Sequence, residues 1–95
     1  MIAIGRVSLA GTFVNQRGFT GVINHVPGSG VYDLFLSSPP PSLNDLVVEA
    51  TIARFASSGQ ITVAFSPPNV IEVNTFNGAG VAADQTFMID VFDLT

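Results

Sequence analysis

The chain has 95 residues and a mass of 9.9 kDa, which suits one small domain, residues 1–95, with a single hydrophobic core. Hydrophobic residues make up 47% of it and charged residues only 11%, with three basic residues, no Cys and a formal net charge of −4. These counts exclude a second domain, a basic surface for nucleic acid, and disulfide, Cys-zinc or thiol chemistry.

Turn-forming residues divide the chain into segments that alternate apolar and polar side chains, as half-buried strands do. The turns are 15–18, 27–30, 37–44, 57–59, 66–69 and 77–84, and the predicted strands are 2–14, 19–26, 31–36, 46–55, 61–65, 70–76 and 87–94. Gly5 and Gly11 predict a bulge in the first segment or its break into two strands. No segment predicts a helix, so we expect an all-β fold, a single antiparallel jelly-roll-like sandwich of seven or eight strands.

The sparse charge predicts that part of the surface is buried against another chain. A compact monomer of this mass exposes roughly 5,200 Å², so the charged residues provide only about one charge per 500 Å². The longest uncharged run, 55–71, is interrupted by Gly59 and by two prolines, so we predict no helix that spans a membrane. A homo-oligomer is expected, with no membrane partner.

The last predicted strand is apolar on both faces. One face carries Phe87, Ile89 and Val91, and the other carries Met88, Phe92 and Leu94. A two-layer sandwich usually leaves one face of each strand in water. We therefore expect a subunit interface through Phe35, Met88, Phe92 and Leu94; the alternative is a loop that folds over this outer face.

Residues 78–83 match the G-x-G-x-x-A form of the dinucleotide-binding fingerprint. That fingerprint requires a helix whose N-terminus meets the pyrophosphate. Here a strand is predicted to follow, so we interpret the segment as a Gly-rich connecting loop and expect no cofactor.

His25 is the only histidine, and no G-x-S-x-G elbow accompanies it. We predict that it is solvated or satisfied in the core, and that the chain has no catalytic and no metal-binding residues. The acidic residues are scattered along the chain. Carboxylates that converge only in three dimensions would allow a small hydrolase, which is a third candidate function.

Two segments resemble known β proteins. Residues 19–26 followed by 30–36, which begin Gly30-Val31-Tyr32, resemble the G-x-Y strand of C1q/TNF-like jelly rolls. Residues 73–92 are similar to the v-x-T-x-N-x-x-G-x-x-x-D-x-x-F-x-V-x-V ending of small bacteriophage structural domains. The resemblance implies that Gly30 is a turn residue, Tyr32 and Phe87 are core aromatics, and Asp84 precedes the final strand.

The resemblance also implies a non-enzymatic virion protein whose jelly rolls pack as trimers. Our hypothesis is a structural protein that self-assembles and decorates or cements a phage capsid, with the major capsid protein as a partner. The alternative is a receptor- or glycan-binding knob of a tail fibre, which would need a surface cluster around Tyr32 and residues 77–84. The absence of Trp and the single Tyr weaken carbohydrate binding.

Overall fold

Eight strands within the described residues form two four-stranded sheets that enclose one core. The computed structural model describes residues 2–53 and 59–94. The strands are β1 Ala3–Val7, β2 Phe13–Arg17, β3 Phe19–His25, β4 Val31–Leu36, β5 Leu46–Ile52, β6 Gly59–Ser66, β7 Val70–Asn77 and β8 Phe87–Asp93. The predicted all-β antiparallel sandwich is confirmed.

Sheet 1 has the strand order β2-β1-β8-β5, and sheet 2 has the order β3-β4-β7-β6. Every neighbouring pair is antiparallel. The hairpins β1–β2, β3–β4 and β6–β7 each stay within one sheet, whereas the chain changes sheet between β2 and β3, β4 and β5, β5 and β6, and β7 and β8. As a result, the first and last strands are neighbours at the centre of sheet 1.

The long first segment is broken into two strands, one of the two outcomes that its glycines predicted. The turn between β1 and β2 is closed by a hydrogen bond from the Gly11 N–H to the Ser8 carbonyl at 3.0 Å. Gly11 has a φ of +87°, a left-handed conformation that glycine adopts without the steric cost of a side chain. The predicted turn and strand end at 54–58 lie outside the described residues.

One turn of 3-10 helix, Leu43–Asp45, lies in the segment that the sequence predicted as a proline-rich loop. It is capped by Ser42, whose hydroxyl oxygen accepts a hydrogen bond from the Asn44 N–H at 3.2 Å. Residues 2–53 and 59–94 contain no helix that is long and apolar enough to cross a membrane.

The core consists of side chains that alternate along the strands and point between the sheets. Its buried members are Ala3, Val7, Phe19, Tyr32, Leu34, Leu36, Leu46, Ile71, Val73, Phe87, Ile89 and Val91. The rings of Tyr32 and Phe87 meet edge to face with their centroids 5.1 Å apart, a favourable aromatic geometry. The alternate residues of the same strands form the outer faces of the two sheets.

Candidate functional site

A groove of about 580 Å³ crosses the outer face of sheet 1, and all four strands of the sheet line it. The face exists because buried and exposed residues alternate along β1 and β8. Ala3 and Val7 point into the core, so Ile4 and Arg6 point outward. The groove is therefore the outer side of the same strands that build the core.

Cross-strand pairing arranges the outward side chains in rows. The row that we call the Arg17 row consists, from β2 to β5, of Arg17, Ile4, Asp90 and Glu49. The next row, the Arg6 row, consists of Asn15, Arg6, Met88 and Thr51. Residues that are directly opposite on neighbouring strands share a face and have their Cβ atoms about 5 Å apart, so each row is a line of neighbouring side chains across the sheet.

Charge is segregated across this face. The basic side chains of Arg6 and Arg17 lie on β1 and β2, and the acidic side chains of Asp90 and Glu49 lie on β8 and β5. Among the described residues, none of these four side chains is in an ion pair within 4.0 Å. The groove thus has a positive half and a negative half that do not neutralise each other directly.

Asp90 has an unsatisfied carboxylate oxygen. Its Oδ1 atom is buried and has no hydrogen-bond partner among residues 2–53 and 59–94. Buried polar atoms are almost always hydrogen-bonded, because leaving one without a partner costs about 1–3 kcal/mol. The described residues therefore leave this buried oxygen without a hydrogen-bond donor.

The face also carries exposed apolar side chains. Ile4 is 43% exposed and Met88 is 44% exposed, and both line the groove. Phe92 and Val47 are directly opposite each other beyond the Arg17 row. Leu94, just after β8, is 71% exposed.

The four residues predicted as a subunit interface lie on two different surfaces. Met88 and Phe92 lie on the outer face of sheet 1, and Leu94 follows them on the same side of the alternation. Phe35 lies on the outer face of sheet 2, half-buried and opposite Val70. The fold therefore brings three of the four residues to one surface and leaves Phe35 on the other.

Sequence reasoning missed the charged half of this site. The alternation along each strand could have shown that Arg6, Glu49 and Asp90 point away from the core. It could not have shown that β8 lies between β1 and β5, because that neighbour relation is set by tertiary pairing. The composition of the Arg17 row and the Arg6 row depends on this strand order.

Sheet 2 carries a pair of like charges on its own outer face. Asp33 on β4 is directly opposite Glu72 on β7. Burial, followed by the neighbouring Glu72 carboxylate, raises the pKa of Asp33. The Asn74 side-chain amide donates to Glu72 Oε1 at 3.1 Å, whereas Asp33 Oδ1 is buried and has no partner among the described residues.

His25 is satisfied inside the fold, one of the two environments that the sequence predicted for it. Its ring Nδ1 is 2.7 Å from the Val31 carbonyl oxygen, and its Nε2 is 3.1 Å from Asp84 Oδ2. A carbonyl oxygen only accepts, so Nδ1 donates. When Nε2 also carries a proton, the ring forms an ion pair with the Asp84 carboxylate.

Asp84 holds two loops together. Its carboxylate accepts hydrogen bonds from the Gly28 N–H at 2.7 Å and from the Gly30 N–H at 2.8 Å. Burial by itself would raise the pKa of Asp84, but these two amide donors and His25 outweigh it and hold the pKa below its usual value. The arrangement fixes the 26–30 turn against the segment that precedes β8.

The segment that matched the dinucleotide fingerprint is a connecting loop. The Asn77 side-chain oxygen accepts hydrogen bonds from the N–H groups of Ala79 at 2.9 Å and Val81 at 3.1 Å, which closes a turn. The next regular element is the strand β8, so no helix N-terminus is placed at this turn. The geometry that the fingerprint needs is not formed by these residues.

The residues on which glycan binding would depend are used within the fold. Tyr32 is fully buried, and its hydroxyl donates to the Leu9 carbonyl at 2.9 Å. The carboxylate of Asp84 is occupied by Gly28, Gly30 and His25. The surface cluster expected around Tyr32 is therefore not formed, because the tyrosine ring faces the core.

Comparison of the chain with protein-family models, with curated proteins and with solved structures finds no match. Within residues 2–53 and 59–94, no three His, Asp or Glu side chains come together as metal ligands would. The outer face of sheet 1 combines a groove, segregated charge and exposed apolar side chains.

Proposed function

We propose that this chain is a non-enzymatic structural protein that self-associates through the outer face of sheet 1 and covers a larger particle, as capsid decoration and cement proteins do. The observation that carries the proposal is the exposure of Ile4, Met88 and Leu94 on that face, beside the half-buried Phe92. Soluble monomers rarely expose a contiguous apolar patch larger than a few hundred Å². A second protein surface that covers this patch would remove it from water.

The phage setting of the proposal rests on the resemblance of residues 73–92 to small bacteriophage structural domains. In that setting the chain belongs to the virion, with the major capsid protein as its partner, and the related jelly rolls form trimers. The thin charge of the whole chain, 11% of its residues, supports a protein that is held against other protein surfaces.

Self-association is tested by sedimentation velocity of the purified chain over a range of concentrations. We expect a concentration-dependent oligomer that Met88→Asp dissociates, because the substitution places a charge in an apolar contact. Val22→Asp is the matched control, since Val22 is 60% exposed on β3 of the other sheet. A wild-type chain that stays monomeric up to its solubility limit would overturn self-association.

The particle setting is tested by mass spectrometry of phage particles released from cells that carry the gene. We expect the chain in purified particles at a fixed ratio to the major capsid protein. Its absence from intact particles would overturn the decoration proposal while leaving self-association to be judged by sedimentation.

A further inference from the structure

We propose that the outer face of sheet 1 binds the same face of a second copy of this chain, around a two-fold axis that runs parallel to the strands between β1 and β8. This inference rests on the proposed self-association and gives its geometry. It is carried by the segregated charge of the face, with Arg6 and Arg17 on one half and Asp90 and Glu49 on the other. In a two-fold contact the same patch must be complementary to itself.

Such an axis reverses the strand order of the second copy above the first. The Arg17 row of one copy then faces the Arg17 row of the other, running in the opposite direction. Arg17 lies over the partner's Glu49, and Glu49 lies over the partner's Arg17. Packed sheets lie about 10 Å apart, a gap that an arginine and a glutamate side chain can span together. Each dimer would contain two such ion pairs, one at each edge of the contact.

The Arg6 row adds a contact near the middle of the face. Under the same axis Arg6 lies over the partner's Met88, next to the partner's Asp90. The aliphatic stem of an arginine packs on apolar side chains while its guanidinium seeks an acceptor. Asp90, which lines the same groove two residues along β8 from Met88, provides a carboxylate beside that contact.

The direction of the axis is decided by charge. A two-fold axis in the same plane that is perpendicular to the strands and passes through the Arg17 row would place β1 and β2 over their own copies, with Arg17 facing the partner's Arg17. Like charges opposed in this way would repel each other across the contact. Of these two axes, the one parallel to the strands places Arg17 over the partner's Glu49.

The available area places the contact at or below the size of a standard interface. The molecule measures 37 × 21 × 21 Å, so a face along its long axis covers at most about 780 Å². A standard interface takes about 800 Å² from each partner. Face-to-face packing covers this surface on both copies, so the trimer that the resemblance implies would have to use another surface.

Charge reversal tests the inference. Arg17→Glu and Glu49→Arg are made singly, and each purified chain is studied by light scattering after size exclusion, alone and as an equimolar mixture. We expect each single variant to weaken its own dimer about tenfold or more, because two attractive contacts become repulsive. The mixture should restore a heterodimer, since the glutamate introduced in one variant would face the arginine introduced in the other, and the remaining native Glu49 would face the remaining native Arg17.

Thr62 provides the matched controls. It is exposed on β6 of sheet 2, and Thr62→Glu and Thr62→Arg add a charge of either sign there. Neither control should change the dimer. Circular dichroism of every variant separates a lost contact from a lost fold.

The outcomes separate this inference from the proposed function. If the wild-type chain associates but the charge variants associate equally well, or if the measured mass is that of three copies, the two-fold arrangement is overturned and self-association stands. If the single variants dissociate and their mixture does not recover, the reciprocal pairing of Arg17 with Glu49 is overturned. If the wild-type chain never associates, the proposed function itself fails.

Discussion

The imidazole of His25 stacks on the ring of Tyr32, with the ring centroids 4.0 Å apart and the ring planes within 2° of parallel. Tyr32 in turn contacts Phe87 in the core, and His25 contacts Asp84 in the loop before β8. The stack therefore connects Asp84, which we call the loop anchor, to the hydrophobic core through His25. Changes at the anchor should be measurable as changes in the stability of the whole domain.

The first prediction concerns the Asp84 carboxylate. We expect Asp84→Asn to lower the free energy of unfolding by about 1–3 kcal/mol at pH 7, because the amide accepts more weakly and its NH₂ faces the N–H of Gly28 or Gly30. Urea unfolding at constant m-value measures the loss. Asp45→Asn removes the same charge from the 3-10 turn and should change stability much less. Equal losses in the two variants would contradict a specific anchor.

The same carboxylate sets a pH dependence. Because the pKa of Asp84 is lower in the folded chain than its ordinary value of 3.8, its stabilisation is complete above that value. The stabilisation is lost as the pH falls from 3.8 through the lower folded pKa. Urea unfolding of the wild type and of Asp84→Asn should therefore give a stability difference that shrinks over this acidic range. A difference that stays constant down to full protonation would contradict the assignment.

The second prediction concerns alkaline pH. Burial, with the nearby Asp84 charge second, raises the pKa of Tyr32 from 10.0 to about 12. The folded chain thus keeps the tyrosine proton that the unfolded chain loses, and stability falls between pH 10 and pH 12, by roughly 2–3 kcal/mol. Tyr32→Phe removes the hydrogen bond to Leu9 and should lower the free energy of unfolding at pH 7 by about 1 kcal/mol. The stability of this variant should show little of the decrease between pH 10 and pH 12. If stability falls equally in the wild type and in Tyr32→Phe as the pH rises, the raised pKa of Tyr32 is refuted.

The third prediction compares two glycines of one turn. Gly28 and Gly30 both have positive φ, +86° and +70°, so alanine is strained at either position by about 1–2 kcal/mol. A Cβ on Gly30 would also lie 2.5 Å from the Thr75 carbonyl oxygen, whereas a Cβ on Gly28 meets nothing within 4 Å. Gly30→Ala should therefore lower the thermal midpoint clearly more than Gly28→Ala. Equal midpoints would show that the 75–83 backbone moves to make room.

The fourth prediction concerns the like charges on sheet 2. The pKa of Asp33 is raised, so the ionised pair with Glu72 opposes folding at pH 7, and stability increases as the pH falls through the raised value. We expect Asp33→Asn to stabilise the fold by up to about 1 kcal/mol, because an amide can donate to Glu72. Glu72→Gln should stabilise it too, and the double variant should gain less than the sum of the two. A loss of stability in Asp33→Asn would contradict the repulsion.

Much of the fold could be predicted from local patterns. The resemblance implied that Tyr32 and Phe87 are core aromatics, and the two-residue alternation at 31–36 and 87–94 agrees with their burial, because one face of each strand is buried. Gly11 marked the break between β1 and β2, because its positive φ closes the turn that separates them. These features depend on neighbours in sequence, so the sequence contains them.

The site could be predicted only in part. The contact of His25 with Asp84 joins residues 59 positions apart, and nothing in either segment indicates the other. The opposition of Asp90 to Ile4 and Glu49 depends on the pairing of β8 with both β1 and β5. Alternation tells which side of a strand a residue occupies, but not which strand lies beside it.

The central position of β8 in sheet 1 has a consequence for the order of events during synthesis. β1 pairs with β2 and β8, and β5 pairs with β8, so β5 has no pairing with the β1–β2 hairpin until residues 87–93 are in place. Pairing across such a long stretch of chain is a slow, late step of folding. A ribosome-bound or truncated chain that stops before β8 would present neither the Arg17 row nor the Arg6 row complete.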